Sequence, residues 1–170
     1  MCYNFRKLSI KRINFLNIVL VSPKIPQNTG SIGRTCVALG IKLHIVKPIP
    51  YELDDTKIKR AGLDYWPHLD LSVWDSLDEF LAANPINERH FFLTTKTEKS
   101  YIDTKFLPGD FLYFGSEDAG LPMGLMDMRK EGMITIDMRE EFRSLNLAAA
   151  VSIVSYEAFR QNKGAFSWAK

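Results

Sequence analysis

Between Leu16 and Gln161 short apolar runs alternate with stretches of helical period, and this alternation leaves few folds open. Runs of four to six apolar or β-branched residues, without an alternating polar face, suit strands buried on both sides. Helices between them provide the crossovers that parallel strands need. The first strand is read at Leu16–Val21, a loop follows, and Asn28 or Thr29 is expected to cap a helix with Ile32, Cys36 and Leu39 on one face. Gly40 should end that helix, and Ile41–Val46 forms the second strand. A short basic helix is read at Thr56–Ala61, and a surface helix at Asp75–Ala83 with Leu77, Phe80 and Leu81 inward. Phe91–Thr94 and Phe111–Phe114 are two further buried strands with a Pro108–Gly109 turn between them, and Met133–Ile136 is another. The last helix, about Asn146–Gln161, is apolar on almost every side and must be covered on more than one face. The expected class is α/β, a mainly parallel sheet flanked by helices.

Composition narrows the function classes. With 46% apolar and 25% charged residues, the 170-residue chain is neither disordered nor fibrous in character, and its length suits one domain. Ile18–Val21 and the last helix are too short or too interrupted to span a bilayer, and no signal-type apolar segment follows the basic start. Two cysteines, Cys2 and Cys36, make no disulfide framework, so a reducing cytoplasm is expected. Residues 1–16 carry Arg6, Lys7, Lys11 and Arg12 with no acid; removing those four from 22 basic groups leaves 18 against 20 acidic. Any nucleic-acid contact must therefore come from local clusters rather than bulk charge. Residues 1–15 read as a basic, disordered extension, 16–162 as the domain, and 163–170 as a tail.

Three segments carry chemistry. The first, PKIPQNTGSIGRTC (Pro23–Cys36), joins a strand to a helix; Gly30 and Gly33 permit close approach, and Arg34 sits where a guanidinium can clamp a phosphate. It is neither a dinucleotide fingerprint nor a Walker loop. The second, LYFGSEDAGLP (Leu112–Pro122), runs from a strand into small residues at its carboxyl edge, where α/β sheets bind ligands. The third is MREEFRSLNLAAAVSIVSYEA (Met138–Ala158), in which Ser144 and Asn146 can cap the last helix. Each alone is equally well ordinary turn and cap chemistry. Ser116 lies in GSED, which is no nucleophile elbow. His44, His68 and His90 lack metal-ligand spacing, so no metal is expected; His44 reads as a strand residue and the other two as surface or loop groups.

Taken in this order and spacing, the three segments resemble the SPOUT methyltransferases. Within them they resemble the small single-domain enzymes that methylate the ribose 2′-hydroxyl of the tRNA wobble nucleotide, cytidine or uridine. The resemblance runs from Leu16 to about Asn162 and includes HIVKP (His44–Pro48), KRAGLDY (Lys59–Tyr65) and LTTK (Leu93–Lys96). Leu145 stands where methionine is usual, and Asp137 where proline is usual. The resemblance implies an α/β-knot fold with a C-terminal trefoil knot, although general topology rules disfavour knots. It also implies a homodimer through the knot region and final helix, and S-adenosylmethionine bound at Leu93, Gly115, Glu117, Ile136, Ser144, Leu145 and Asn146. At Gly115 the missing side chain is expected to leave room for adenine. Arg34 is implied as the essential residue, with Asn28, Ser144 and Tyr156 in the catalytic set. A guanidinium is a poor base, so Arg34 is read as a phosphate anchor; Tyr156 is equally well a core tyrosine. Lys57, Lys59, Arg60, Lys96, Lys99 and Arg143 are the RNA-contact candidates, and the partner is a tRNA anticodon stem-loop. Alternatives are the same chemistry on another tRNA or rRNA ribose, or a non-catalytic knotted RNA-binding protein.

Overall fold

A computed structural model describes residues 15–53, 65–142 and 144–166. Six strands form one parallel sheet: β1 (Leu16–Val21), β2 (Lys42–Val46), β3 (Leu71–Trp74), β4 (His90–Leu93), β5 (Asp110–Phe114) and β6 (Met133–Ile134). Their order is β3-β2-β1-β5-β4-β6, with β1 at the centre between β2 and β5. Four helices flank it: α1 (Pro26–Leu39), α2 (Leu77–Ala83), α3 (Met123–Asp127) and α4 (Leu147–Asn162). The expected parallel sheet flanked by helices is therefore present.

Side chains alternate across each strand, so the two faces build separate cores. Leu16, Ile18 and Leu20 of β1, with Leu43 and Ile45 of β2, pack with Ile32, Cys36 and Leu39 of α1 and Val151, Val154 and Ala158 of α4. Val19 and Val21, with Val46, Phe92 and Tyr113, pack with Phe80 of α2 and Leu125 and Met126 of α3. Because both faces are covered, β1 is buried at all six positions, which is why its sequence shows no alternation. Burial pushes the Cys36 thiol well above its ordinary range. Phe15 is buried, and its ring meets Phe166 edge to face at 4.6 Å. Among the described residues no helix is long and apolar enough to cross a membrane.

Several local expectations need correcting. Helix α1 begins at Pro26, with Ile25 at the capping position and no cap from its own side chain. Asn28 and Thr29 thus lie inside the first turn rather than capping it, because proline favours the first helical position. Strand β3 adds an edge to the expected sheet; LSVW is short and only half-buried there, so it leaves no clear pattern in the sequence. The read strand Met133–Ile136 pairs as β6 only over Met133–Ile134; Thr135 then bridges Ser100. His90 is neither surface nor loop: it is a buried residue of β4, stacked on Phe111 at 4.5 Å and bonded through Nδ1 to the Tyr113 hydroxyl at 2.7 Å. His44 is a buried strand residue, as expected. The expected helix Thr56–Ala61 lies outside the described residues. Gly40 does end α1, in the left-handed region at φ 67°.

Candidate active site

The carboxyl ends of β1, β4, β5 and β6 converge with the N-terminal ends of α1 and α4, and the three segments meet there. Glu117, in the loop after β5, accepts from the Lys24 N–H at 2.7 Å and the Ile25 N–H at 3.2 Å. It also accepts from the Asn28 side-chain amide at 2.8 Å. A carboxylate from 92 residues away thus supplies the start of α1 with the acceptor that Ile25 cannot, where the helix dipole favours negative charge. Asn28 uses its other side-chain atom, Oδ1, to accept from Asn146 Nδ2 at 3.0 Å. Asn146 Oδ1 in turn accepts from the Ala148 and Ala149 N–H groups at 2.9 and 3.2 Å and caps α4. One relay, Glu117–Asn28–Asn146, ties both helix ends to the β5 loop. Asn28 is buried, so these bonds replace water it has lost.

Around the relay lies a cleft of about 630 Å³, large enough for a small cofactor. Asn28, Lys96, Gly115, Glu117, Ser144, Leu145 and Asn146 line it. A smaller cavity of about 120 Å³ shares Ser144 and Leu145 with the cleft and is walled by Leu93, Ile136 and Met138. All seven cofactor candidates therefore line one cavity or the other. The apolar wall of Leu93, Ile136 and Leu145 suits an adenine ring, and the Thr94, Thr95 and Ser144 side suits polar groups; the residues present fit S-adenosylmethionine. The reason for glycine at 115 differs from the expectation. A Cβ there would stand 1.9 Å from the Gly120 carbonyl carbon, so the chain's own loop, closed by Ser116 and Gly120, excludes a side chain.

Two catalytic candidates stand elsewhere. Arg34 is exposed on α1 and lines neither cavity; its guanidinium lies over the Tyr65 ring, 5.1 Å from the centroid. Tyr156 is 51% exposed on α4, so the core-tyrosine alternative fails. Lys96 reaches the Met123 sulfur at 3.2 Å and Lys99 the Glu131 carbonyl at 2.9 Å, both exposed. Lys57, Lys59, Arg60 and Arg143 lie outside the described residues. Sequence reasoning missed Tyr51, whose hydroxyl meets Thr29 at 2.6 Å beside the relay; burial, with Glu117 nearby, pushes its phenol up to about 12. A lone tyrosine 22 positions downstream carries no sequence signal for that contact. Among the described residues no group of His, Cys, Asp or Glu could hold a metal.

A parallel sheet with its cleft at the strand carboxyl ends and a relay across three separate segments defines a cofactor-binding α/β class. The chain belongs to the SpoU rRNA methylase family, whose pattern matches residues 15–156. It is 44% identical over 148 residues to the tRNA (cytidine(34)-2′-O)-methyltransferase of Escherichia coli K12, covering 86% of this chain and 93% of that one. To the protein of the same name from Burkholderia ambifaria it is 42% identical over 147 residues, covering 85% and 94%. A solved structure described as giving insights into 2-OH methylation of C/U34 on tRNA superposes with a TM-score of 0.83 at 45% identity, covering 88% and 97%. The SpoU methyltransferase AviRb from Streptomyces viridochromogenes, in complex with the cofactor AdoMet, gives 0.74 at 26% identity, covering 89% and 62%.

Proposed function

We propose that this protein transfers a methyl group from S-adenosylmethionine to the ribose 2′-hydroxyl of the wobble nucleotide in a tRNA anticodon loop. The observation that carries the reading is the relay of Glu117, Asn28 and Asn146, which joins all three segments at the rim of one cleft. Relatives at 42 and 44% identity that bear the matching name support it. When bound, the cofactor supplies an activated methyl on a sulfonium. The protein's task is alignment, since a well-held pair of reactants gains most of its rate from orientation. Leu93, Ile136 and Leu145 would hold the adenosyl part, Ser144 and the Gly115–Glu117 loop its polar end. Asn28 keeps the start of α1 in register with α4. A guanidinium is a poor base, so Arg34 anchors an RNA phosphate and stabilises developing charge rather than accepting the 2′-proton.

Lys96 lines the cleft and, with Lys57, Lys59, Arg60, Lys99 and Arg143, serves salt-sensitive phosphate contact beside splayed loop bases. The domain is taken as residues 16–162, with its C-terminal part in a trefoil knot; β6, which follows β5 in the chain yet pairs outside β4, supports that threading. We infer a cytoplasmic homodimer through the knot region and α4, whose Ile153 and Tyr156 remain exposed in one protomer. Arg34 lines neither cavity, which favours a dimer that carries Arg34 of one protomer to the cleft of its partner.

The test is mass spectrometry of tRNA lacking wobble ribose methylation after incubation with protein and S-adenosylmethionine. A methyl at the wobble ribose, lost in Arg34→Ala, is expected. Cofactor binding without a methyl on any tRNA would transfer the assignment to an rRNA ribose, and absence of cofactor binding would leave a non-catalytic RNA-binding protein.

A further inference from the structure

Arg89 and Arg129 also lie over a ring, that of Phe91, at 5.5 and 5.6 Å, but Arg34 differs from the other described arginines in that no oxygen acceptor engages its guanidinium as well. Arg89 grips Asp110 through two nitrogens at 2.6 and 2.5 Å. Arg139 and Arg160 pair with Glu141 and Glu157, and Arg129 donates to the His90 carbonyl at 2.7 Å. Arg34 has no carboxylate or carbonyl partner among the described residues; it has a ring, that of Tyr65, at 5.1 Å. A ring occupies the face of a guanidinium and leaves its five N–H donors, which lie in the plane, free at the edge. A carboxylate in the same place would consume those donors.

Tyr65 is itself held in place. It precedes the tight turn Trp66–His68, in which the His68 N–H donates to the Tyr65 carbonyl at 2.9 Å and the Leu69 N–H to the Trp66 carbonyl at 3.1 Å. Trp66 lies on α1 at Gly33, where a Cβ would come within 3.1 Å of the indole and 3.3 Å of Leu69. Gly33 is therefore a notch that seats the turn on the helix, and it is the residue next to Arg34. The contact that docks the turn also sets the Tyr65 ring beside the guanidinium.

We propose that Tyr65 is a positioning residue for Arg34: its ring holds the guanidinium face and presents the edge donors, already ordered, to an RNA phosphate. What Arg34 serves rests on the functional reading above; the contact itself does not. An exposed arginine otherwise samples many rotamers, and a partner that restricts them without using the donors removes that ordering from the reactive step.

Two measurements decide the matter. In ¹⁵N-labelled protein the Arg34 Nε–H resonance is expected upfield from the ring current in wild type and Tyr65→Phe, and at an ordinary exposed position in Tyr65→Leu. In single-turnover methylation at sub-saturating tRNA, Tyr65→Leu is expected to slow transfer roughly two- to fivefold, the scale of an exposed cation–π contact, with cofactor affinity unchanged and Tyr65→Phe at the wild-type rate. An unshifted Arg34 resonance in wild type, or equal losses in the Phe and Leu variants, overturns the proposal. Weaker tRNA binding in Tyr65→Leu with the Arg34 resonance where it stands in wild type also overturns it, making Tyr65 a platform for an RNA base. If the wild-type protein methylates no RNA, the functional reading falls while the resonance still decides the contact.

Discussion

Glu117 occupies a position where a neutral side chain of the same shape will not serve. All three of its partners are donors, the Lys24 and Ile25 N–H groups and the Asn28 amide. A carboxylate satisfies them with acceptors alone, whereas glutamine would turn an NH₂ group toward one of them. Glu117→Gln is expected to cost about 1–3 kcal/mol, the range for a charge-assisted bond left unmade. At about 2–4 °C per kcal/mol for a domain of this size, differential scanning calorimetry should register a drop of several degrees. An unchanged melting temperature would show that the relay contributes little. His44 and His90 present the opposite case, buried groups that must stay neutral. The Trp74 indole donates to His44 Nδ1 at 3.1 Å, and Nε2 faces Asn17 Oδ1 at 3.3 Å, so the ring carries its proton on Nε2. Burial, with Lys42 near His44 and Arg129 near His90, lowers each imidazole from 6.5 to about 4. The unfolded chain binds these protons below pH 6.5 and the folded one does not, so the stability they confer is full above pH 6.5 and is lost toward pH 4. Urea unfolding at pH 7.5 and 5.0 should differ by about 2 kcal/mol per histidine; equal midpoints would refute this.

At the level of elements, the strand-to-loop junction after β5 is the least forgiving. Gly115→Ala would drive a Cβ into the Gly120 backbone, and the loop that carries Glu117 would have to open. Isothermal titration should show at least a tenfold loss of S-adenosylmethionine affinity, and wild-type affinity would sink the argument. The same junction illustrates what a sequence discloses. Runs such as Leu16–Val21 and Phe111–Phe114 were legible because a strand buried on both faces needs no alternation and leaves none. Gly40 was legible because a left-handed helix end asks for it. The start of α1 was not: the acceptor at its N-terminus comes from Glu117, 92 positions on, and local capping rules look only at neighbouring residues. Strand β3 escaped because an edge strand with half-buried residues leaves a weak pattern. All seven cofactor candidates were found at the cavities through the family resemblance; spacing alone left Leu93 and Ile136 indistinguishable from core. Tyr65 was legible only as the end of the KRAGLDY segment and Tyr51 not at all, since their contacts exist only in the folded chain.

For the whole molecule, α4 is the helix through which the proposed dimer would form. It buries Leu147, Val151, Val154, Ser155 and Ala158 inside the protomer yet leaves Ile153 36% and Tyr156 51% exposed. Tyr156→Glu, a charge set in the middle of that face, is expected to turn a dimer into a monomer in sedimentation velocity and to abolish methyl transfer with it. A monomeric wild type, or a dimer indifferent to the change, would place the interface elsewhere. The strand order also governs events during synthesis. β1 gains its neighbour β2 early, but its other flank stays open until Asp110–Phe114 has been made, more than eighty residues later. At about 5–20 residues per second that leaves the sheet's central strand half-paired for on the order of ten seconds. During that interval a nascent chain displays a row of open backbone groups on LNIVLV, one of the most apolar strands it possesses. A ribosome-bound chaperone able to shield that edge would then raise the yield of folded protein more than one acting after release.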